Sequence, residues 1–262
     1  KFLKVNFVKD EGPHLENNNL LKIIKEKKAY YNEEKLFPVY KAIRLTKKEL
    51  SSRNIPLLGF VGGPWTLATY LIEGKLTKDH MQVRRFSYER PKEMRTLINL
   101  LSDIVVSHMI NQIKYGVDAL QIFDTHSNHM DHFTYKEYGI NAVSKIARKV
   151  KNIYPRIPIT LFTKSFSINH KKLYENIDCF SFSSNKDMNL YTKIIPKRIC
   201  FQGNLDPMLL VVGGKEMEVK TKKILEQMKN KNFIFNLGHG VLKQTPTKHV
   251  HQLIEIIRRC EN

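Results

Sequence analysis

Apolar and polar positions follow two alternating regimes along this 262-residue chain. Short, nearly unbroken apolar runs at residues 56–61, 119–123, 157–162, 178–182, 199–202 and 232–236 read as six strands buried on both faces. Between them lie stretches whose apolar residues recur every three or four positions, the spacing of one helix face. The clearest begins at Pro91: Met94, Leu97, Ile98, Leu101, Ile104, Val105, Ile110 and Ile113 predict a helix to Tyr115. Further helices are expected at 136–154, 169–176, 188–194, 215–230 and 247–259. Residues 11–54, rich in charge and turn formers, read as a long connection holding one helix at 20–31, and residues 3–8 as a possible additional strand.

Strand and helix alternate throughout, which predicts parallel βαβ units and a sheet covered by helices. The fold expected is a (β/α)8 TIM barrel of the α/β class, built as one domain over 1–262, with a doubly wound open sheet as the alternative. The countable strands fall short of eight, so the chain is expected to lack the first strand or strands of its barrel.

Polar and glycine-rich corners follow three of the runs: Gly-Gly-Pro-Trp-Thr after 61, Asp-Thr-His after 123 and Leu-Gly-His-Gly after 236. In parallel α/β folds such corners fall at the carboxyl ends of the strands, the edge where ligands bind.

Charge changes this picture little. The formal net charge is +19, which alone would point to nucleic acid or an acidic membrane. Most of the lysines, however, occupy outward positions of amphipathic helices and read as solvated faces. No apolar run reaches the roughly 18–20 residues that cross a bilayer, so no membrane partner is expected. Three cysteines, at 179, 200 and 260, are too few and too separated for a disulfide framework and fit a reducing compartment. No Cys-x-x-Cys or His-x-Cys pairing marks a zinc site. His126, His129 and His132 form a His-x-x-His-x-x-His series, read as separate hydrogen-bonding groups rather than metal ligands. Gly59–Gly63 lacks the Gly-Lys-Ser/Thr ending of a phosphate loop.

Gly-x-Pro-Trp-Thr at 62–66, Gln-Gly-Asn-Leu-Asp-Pro at 202–207 and Phe-Asn-Leu-Gly-His-Gly at 235–240 occur in the order found in the uroporphyrinogen decarboxylase family, which the chain resembles over nearly its whole length. The resemblance implies removal of the four acetate carboxyls of uroporphyrinogen III to give coproporphyrinogen III, without a cofactor or metal. It also implies a cytoplasmic or plastid-type location and a homodimer. Family members carry an arginine-rich segment and a strand-end aspartate ahead of the point matching Lys1, so the chain reads as part of a longer protein and is expected to be inactive by itself.

On these motifs the resemblance implies four site residues. Tyr70, one turn into the helix after the Gly-Pro-Trp corner, would hydrogen-bond a substrate carboxylate. Thr125, following the 119–123 strand, would donate its hydroxyl to another, with Phe123 packing against the macrocycle. His239, between two glycines, would bind a carboxylate or shuttle protons. Lys164 matches a family lysine, whereas Ser183 stands where a strand-end aspartate is common. The rival readings are a cobalamin-linked methyltransferase on a similar barrel and a basic nucleic-acid-binding or scaffold protein.

Overall fold

The computed structural model describes residues 5–8, 12–15, 20–26, 32–75, 77–164 and 171–261. The chain divides into two compact units, residues 1–176 and 177–262.

The first unit opens with a hairpin, β1 (Val5–Val8) antiparallel to β2 (Gly12–Leu15), followed by helices α1 (Leu20–Glu26) and α2 (Glu33–Ser51). Two expectations are corrected here. The strand at 3–8 does not join a parallel sheet, because its partner is the segment that immediately follows it. The connection at 11–54 holds a second helix of 19 residues. Only one residue of α2 is buried, Tyr40, so its apolar periodicity is faint in the sequence. Its stability comes from a few directional contacts instead. Asn32 caps its start by accepting from the Lys35 N–H, the Tyr40 hydroxyl lies 2.7 Å from His108 Nδ1, and Lys47 pairs with Asp118 at 2.6 Å.

Then come β3 (Leu58–Gly62), α3 (Pro64–Glu73), α4 (Met81–Glu89), α5 (Pro91–Lys114) and β4 (Ala119–Asp124). A short α6 (His132–Thr134) runs into a wide π-turn at Tyr135–Ile140, then α7 (Asn141–Ile153) and β5 (Ile159–Thr163). Strands β3, β4 and β5 are parallel neighbours in chain order, with Gly62 opposite Phe123 and Asp124 opposite Thr163. The helix expected at 136–154 is present, but it becomes α-helical only from Asn141.

The core of this unit gathers on the apolar face of α5, where Met94, Leu97, Ile98 and Leu101 meet Trp65, Ala68 and Val83. Trp65 is fully buried and stacks on Tyr138 with a 7° interplanar angle. Burying side chains of this kind contributes about 1.5–3 kcal/mol each, which fixes α3 against α5.

The second unit contains β6 (Cys179–Ser181), α8 (Met188–Tyr191), β7 (Cys200–Leu205), α9 (Pro207–Val212), α10 (Gly214–Gln227), β8 (Phe233–Leu237) and α11 (Thr247–Glu261). Strands β6, β7 and β8 are again parallel in chain order. Leu205, Leu210, Met217, Leu253 and Ile256 form its core. Residues 171–175 form a 3-10 turn, and 169–170 of the helix expected there lie outside the described residues.

Candidate active site

The carboxyl end of β4 is where the first unit concentrates its polar side chains. Asp124, the last residue of that strand, carries a carboxyl and is only 1% exposed. Thr66, in the first turn of α3, donates its hydroxyl to Asp124 Oδ1 at 3.0 Å and accepts the His126 N–H at 3.3 Å. Trp65 Nε1 donates to the His126 carbonyl at 3.2 Å. The two residues flanking Thr125 are therefore both fastened to the first turn of α3.

Glycine makes the socket possible. A Cβ on Gly63 would lie 3.0 Å from Asp124 Oδ1, and one on Gly139 would press the Tyr135 ring at 2.7 Å. Burial raises the Asp124 pKa to about 6, against the opposing effect of the Thr66 hydrogen bonds.

A second polar chain ties β4 to β5. Ser127 Oγ donates to the Asp124 carbonyl at 2.7 Å and lies 2.9 Å from Thr163 Oγ1, which is also 2.9 Å from the Tyr135 hydroxyl. The Lys164 N–H donates to Ser127 Oγ at 3.2 Å. Tyr135 is so buried that its phenol is held well above its ordinary pKa, with the Asp124 charge adding to the effect. It stays a neutral hydrogen-bonding group.

Within this frame the structure brings Tyr70 and Thr125 to the same edge. The half-buried Tyr70 ring lies 5.2 Å from the ring of His126, the residue after Thr125, in an edge-on arrangement. Among the described residues, neither the Tyr70 phenol nor the Thr125 hydroxyl has a hydrogen-bond partner. Phe123 lies in a row of aromatic rings across the strands, 6.1 Å from Phe60 and 5.8 Å from Phe162.

The histidine series divides. His126 and His129 flank His80, which enters from the turn before α4, at centroid distances of 4.4 and 4.5 Å, while His132 lies against Phe133. His80 adopts a left-handed backbone, φ 49°, tolerated by histidine more readily than by bulkier side chains. Burial, then the charges of His80, Lys164 and His129, push His126 down to about 4. His80 is also lowered, by burial and then by His129 and Lys164, with Glu73 and Asp79 opposing. Among the described residues, no group of three or more His, Cys, Asp or Glu is arranged to hold a metal ion.

In the second unit, the Gln-Gly-Asn-Leu-Asp-Pro segment resolves into structural tasks. Asn204 Nδ2 donates to the carbonyls of Ser183 and Lys186, and Asp206 caps α9 by accepting the Met208 N–H at 2.9 Å. Ser183, buried, donates its hydroxyl to Asn185 Oδ1 at 2.5 Å. His239 is exposed just beyond β8, and its Nδ1 accepts the Gly240 N–H at 2.8 Å.

A groove lined by Ile113, Val117, Asp118 and 153–157 opens beside the amino end of β4. It sits at the wrong end of the strand for the ligand edge of a parallel α/β fold.

The family model described as uroporphyrinogen decarboxylase matches residues 3–260. The chain belongs to this family. A uroporphyrinogen decarboxylase of Rickettsia bellii (strain RML369-C) is 34% identical over 264 residues, covering 98% of this chain and 76% of the relative. One from Rickettsia massiliae (strain Mtu5) is 36% identical over 259 residues, covering 98% and 74%.

Among solved structures, the decarboxylase-family chain resembles a B12-independent methionine synthase from Shewanella sp. W3-18-1, with a TM-score of 0.55 and 14% identity over 98% of this chain and 75% of that one. A putative B12-independent methionine synthase from Listeria monocytogenes gives 0.52 and 14%, covering 78% and 63%. At such identity the likeness speaks for the fold alone, and the fold is α/β of the barrel type.

Sequence reasoning located Tyr70, Phe123, Thr125 and the 126–132 histidines but assigned nothing to Asp124, Thr66 or His80. An aspartate closing an apolar strand was the available signal for the first. Thr66 and His80 gain their meaning from partners 58 and 46 residues away, which no local pattern reveals.

Proposed function

We propose that the protein decarboxylates the four acetate side chains of uroporphyrinogen III to give coproporphyrinogen III. Family membership over residues 3–260 carries this reading. The open hydrogen-bonding capacity of Tyr70 and Thr125 beside a shared edge supports it.

The substrate supplies its own electron sink. Protonation of a pyrrole α-carbon makes an iminium-like ring. The bond from the acetate methylene to its carboxylate then breaks, CO2 leaves, and the electron pair neutralises the ring. A proton delivered to the methylene carbon completes the methyl group, and loss of the first proton restores the pyrrole. Held carboxylates and controlled proton delivery in a partly dry site are what the protein must provide.

In this reading Tyr70 and Thr125 each donate a hydrogen bond to a carboxylate, and Phe123 packs its ring against the macrocycle. His239, exposed on its own unit, binds a carboxylate or moves protons. The homodimer and the cytoplasmic or plastid-type location implied by the family resemblance belong to the same proposal. Among the described residues, no helix is long and apolar enough to cross a membrane.

The decisive assay measures CO2 release and the stepwise seven- to four-carboxyl products from uroporphyrinogen III with the intact protein, Tyr70→Phe and His239→Ala. Each variant is expected to lose at least about tenfold in kcat/KM, the worth of one charge-assisted hydrogen bond. No product with the intact protein, or unchanged kinetics in both variants, overturns the reading.

A further inference from the structure

The polar groups at the carboxyl end of β4 divide into two sets. Thr66, Asp124, Ser127, Tyr135 and Thr163 satisfy one another. The second set has polar atoms that bond to nothing described: the Tyr70 and Thr125 hydroxyls, the ring nitrogens of His126 and His129, and the Lys164 ammonium. A protein edge that fully pairs its framework and leaves five neighbouring donors open is organised around an external acceptor.

Position reinforces this. Asp124 and Thr163 are opposite each other in the β4–β5 register, so the residues that follow them, Thr125 and Lys164, leave adjoining strands side by side. The Lys164 N–H bond to Ser127 Oγ keeps that relationship. Lys164 is near enough for its charge to act on His80 and His126.

We infer that His126, His129 and Lys164, braced by the buried His80, form a carboxylate subsite that takes one acid side chain of the substrate beside those held by Tyr70 and Thr125. The inference rests on the decarboxylase reading above and adds to it a recognition site in which Lys164, matched to a family lysine but given no role by that match, acts with histidines outside the motifs.

His80 has the character of a brace. It is 3% exposed, lies between the two other rings, and its Nδ1 is 3.3 Å from the Thr77 hydroxyl, which donates to Glu73 Oε2. Every charged or titratable group acting on the trio bears on its proton balance. Lys164 and the neighbouring rings favour the neutral form of His80 and His126, whereas Glu73 and Asp79 favour a proton on His80. The Tyr70 ring lies against that of His126 in an edge-on arrangement.

An arriving carboxylate changes that balance. Its negative charge meets Lys164 directly and favours imidazolium over imidazole at His80 and His126, so binding draws a proton from solvent onto that pair. No redox partner or covalent step is involved.

The test uses uroporphyrin, the oxidised, non-reacting octacarboxylate. Its Kd is measured by fluorescence quenching with wild type, Lys164→Met, Lys164→Arg and His129→Gln. Binding heats at pH 7 in two buffers of different ionisation enthalpy give the protons taken up. Lys164 and His129 are both partly exposed, so these variants preserve the core. Lys164→Met is expected to weaken binding roughly tenfold and Lys164→Arg to restore most of it. His129→Gln, which removes one of the open ring nitrogens, is expected to weaken binding several-fold. Equal Kd values for wild type and Lys164→Met, or wild-type binding with no proton uptake, overturn the subsite. Turnover of uroporphyrinogen III by the same wild-type preparation separates the two claims. With turnover intact those outcomes remove the subsite alone, and without turnover the decarboxylase reading and the subsite fall together.

Discussion

Thr66 and Asp124, 58 positions apart, share a hydrogen bond of 3.0 Å in the buried seam between α3 and the end of β4. The same threonine oxygen accepts the His126 N–H. One hydroxyl thus sets the spacing between the helix that carries Tyr70 and the backbone that carries Thr125.

Thr66→Val keeps the shape of the side chain and removes the hydroxyl. It leaves a buried carboxyl and a buried N–H short of a partner, a loss of about 1–3 kcal/mol. The expected result is a lower denaturation midpoint together with a fall in kcat of at least about tenfold, since misplacement by an ångström is costly to catalysis. Thr66→Ser restores both. Chemical denaturation and uroporphyrinogen turnover on the folded fraction check this. A valine variant that loses stability but keeps kcat would reduce the seam to a purely structural device.

Asp124 and His126 impose opposite pH dependences on stability. The folded pKa of Asp124, about 6, lies above its ordinary 3.8. Its contribution is therefore fully present below 3.8 and lost as pH rises through about 6. The folded pKa of His126, about 4, lies below 6.5, so its contribution is present above 6.5 and lost as pH falls through about 4. Between pH 4 and 6.5 the two slopes oppose each other. Relative to wild type, Asp124→Asn is expected to gain stability as pH rises across that window, on the order of 3 kcal/mol at most. His126→Gln is expected to lose it. Urea unfolding at half-unit pH steps measures both slopes.

The two glycines around His239 are not equivalent. A Cβ on Gly238 would meet the Ser184 backbone nitrogen at 2.2 Å, whereas one on Gly240 meets nothing within 4 Å. Gly238→Ala is expected to destabilise the protein by more than about 2 kcal/mol, and Gly240→Ala to stay within about 0.5 kcal/mol of wild type. Thermal melts of the pair decide it, and equal melting temperatures would contradict the close approach of residues 184 and 238.

Helix α2 depends on one buried side chain. Tyr40 is 0% exposed, stacks on Tyr115 at 5.0 Å and reaches His108 with its hydroxyl. Tyr40→Phe is expected to cost about 1 kcal/mol, the net worth of the hydrogen bond. Tyr40→Ala should cost about 3–5 kcal/mol through the cavity it opens. Denaturation midpoints rank the two variants.

Much of the fold was legible because strands buried on both faces, such as β4 and β5, stand out as apolar runs; β3 and β8, expected to be buried likewise, instead expose alternate positions such as Phe60 and Ile234. Helix α5 was legible for the complementary reason, a long stripe at helical spacing. Helix α2 was not, since its packing rests on Tyr40, and its interior Pro38 argues locally against a helix. Nor was the β1–β2 hairpin, because an isolated short apolar run does not reveal its pairing partner. At the candidate site, motif residues such as Tyr70 and Thr125 could be named from the sequence. The residues that hold them could not. Asp124 looks like any polar strand terminus until Thr66 is brought against it, and His80 belongs to no motif at all.

The wide turn at Tyr135–Ile140 acts as a phase-setter between two demands. Upstream, Tyr135 must reach Thr163, and downstream, Val143, Ile146, Ala147 and Val150 of α7 must all point inward. A regular helix advances about 100° per residue, so deleting one residue from this turn would tidy the backbone while swinging one of those sets away from its target. The irregularity is thus the register adjustment that lets a single helical rod serve a hydrophobic interior at one end and a polar relay at the other.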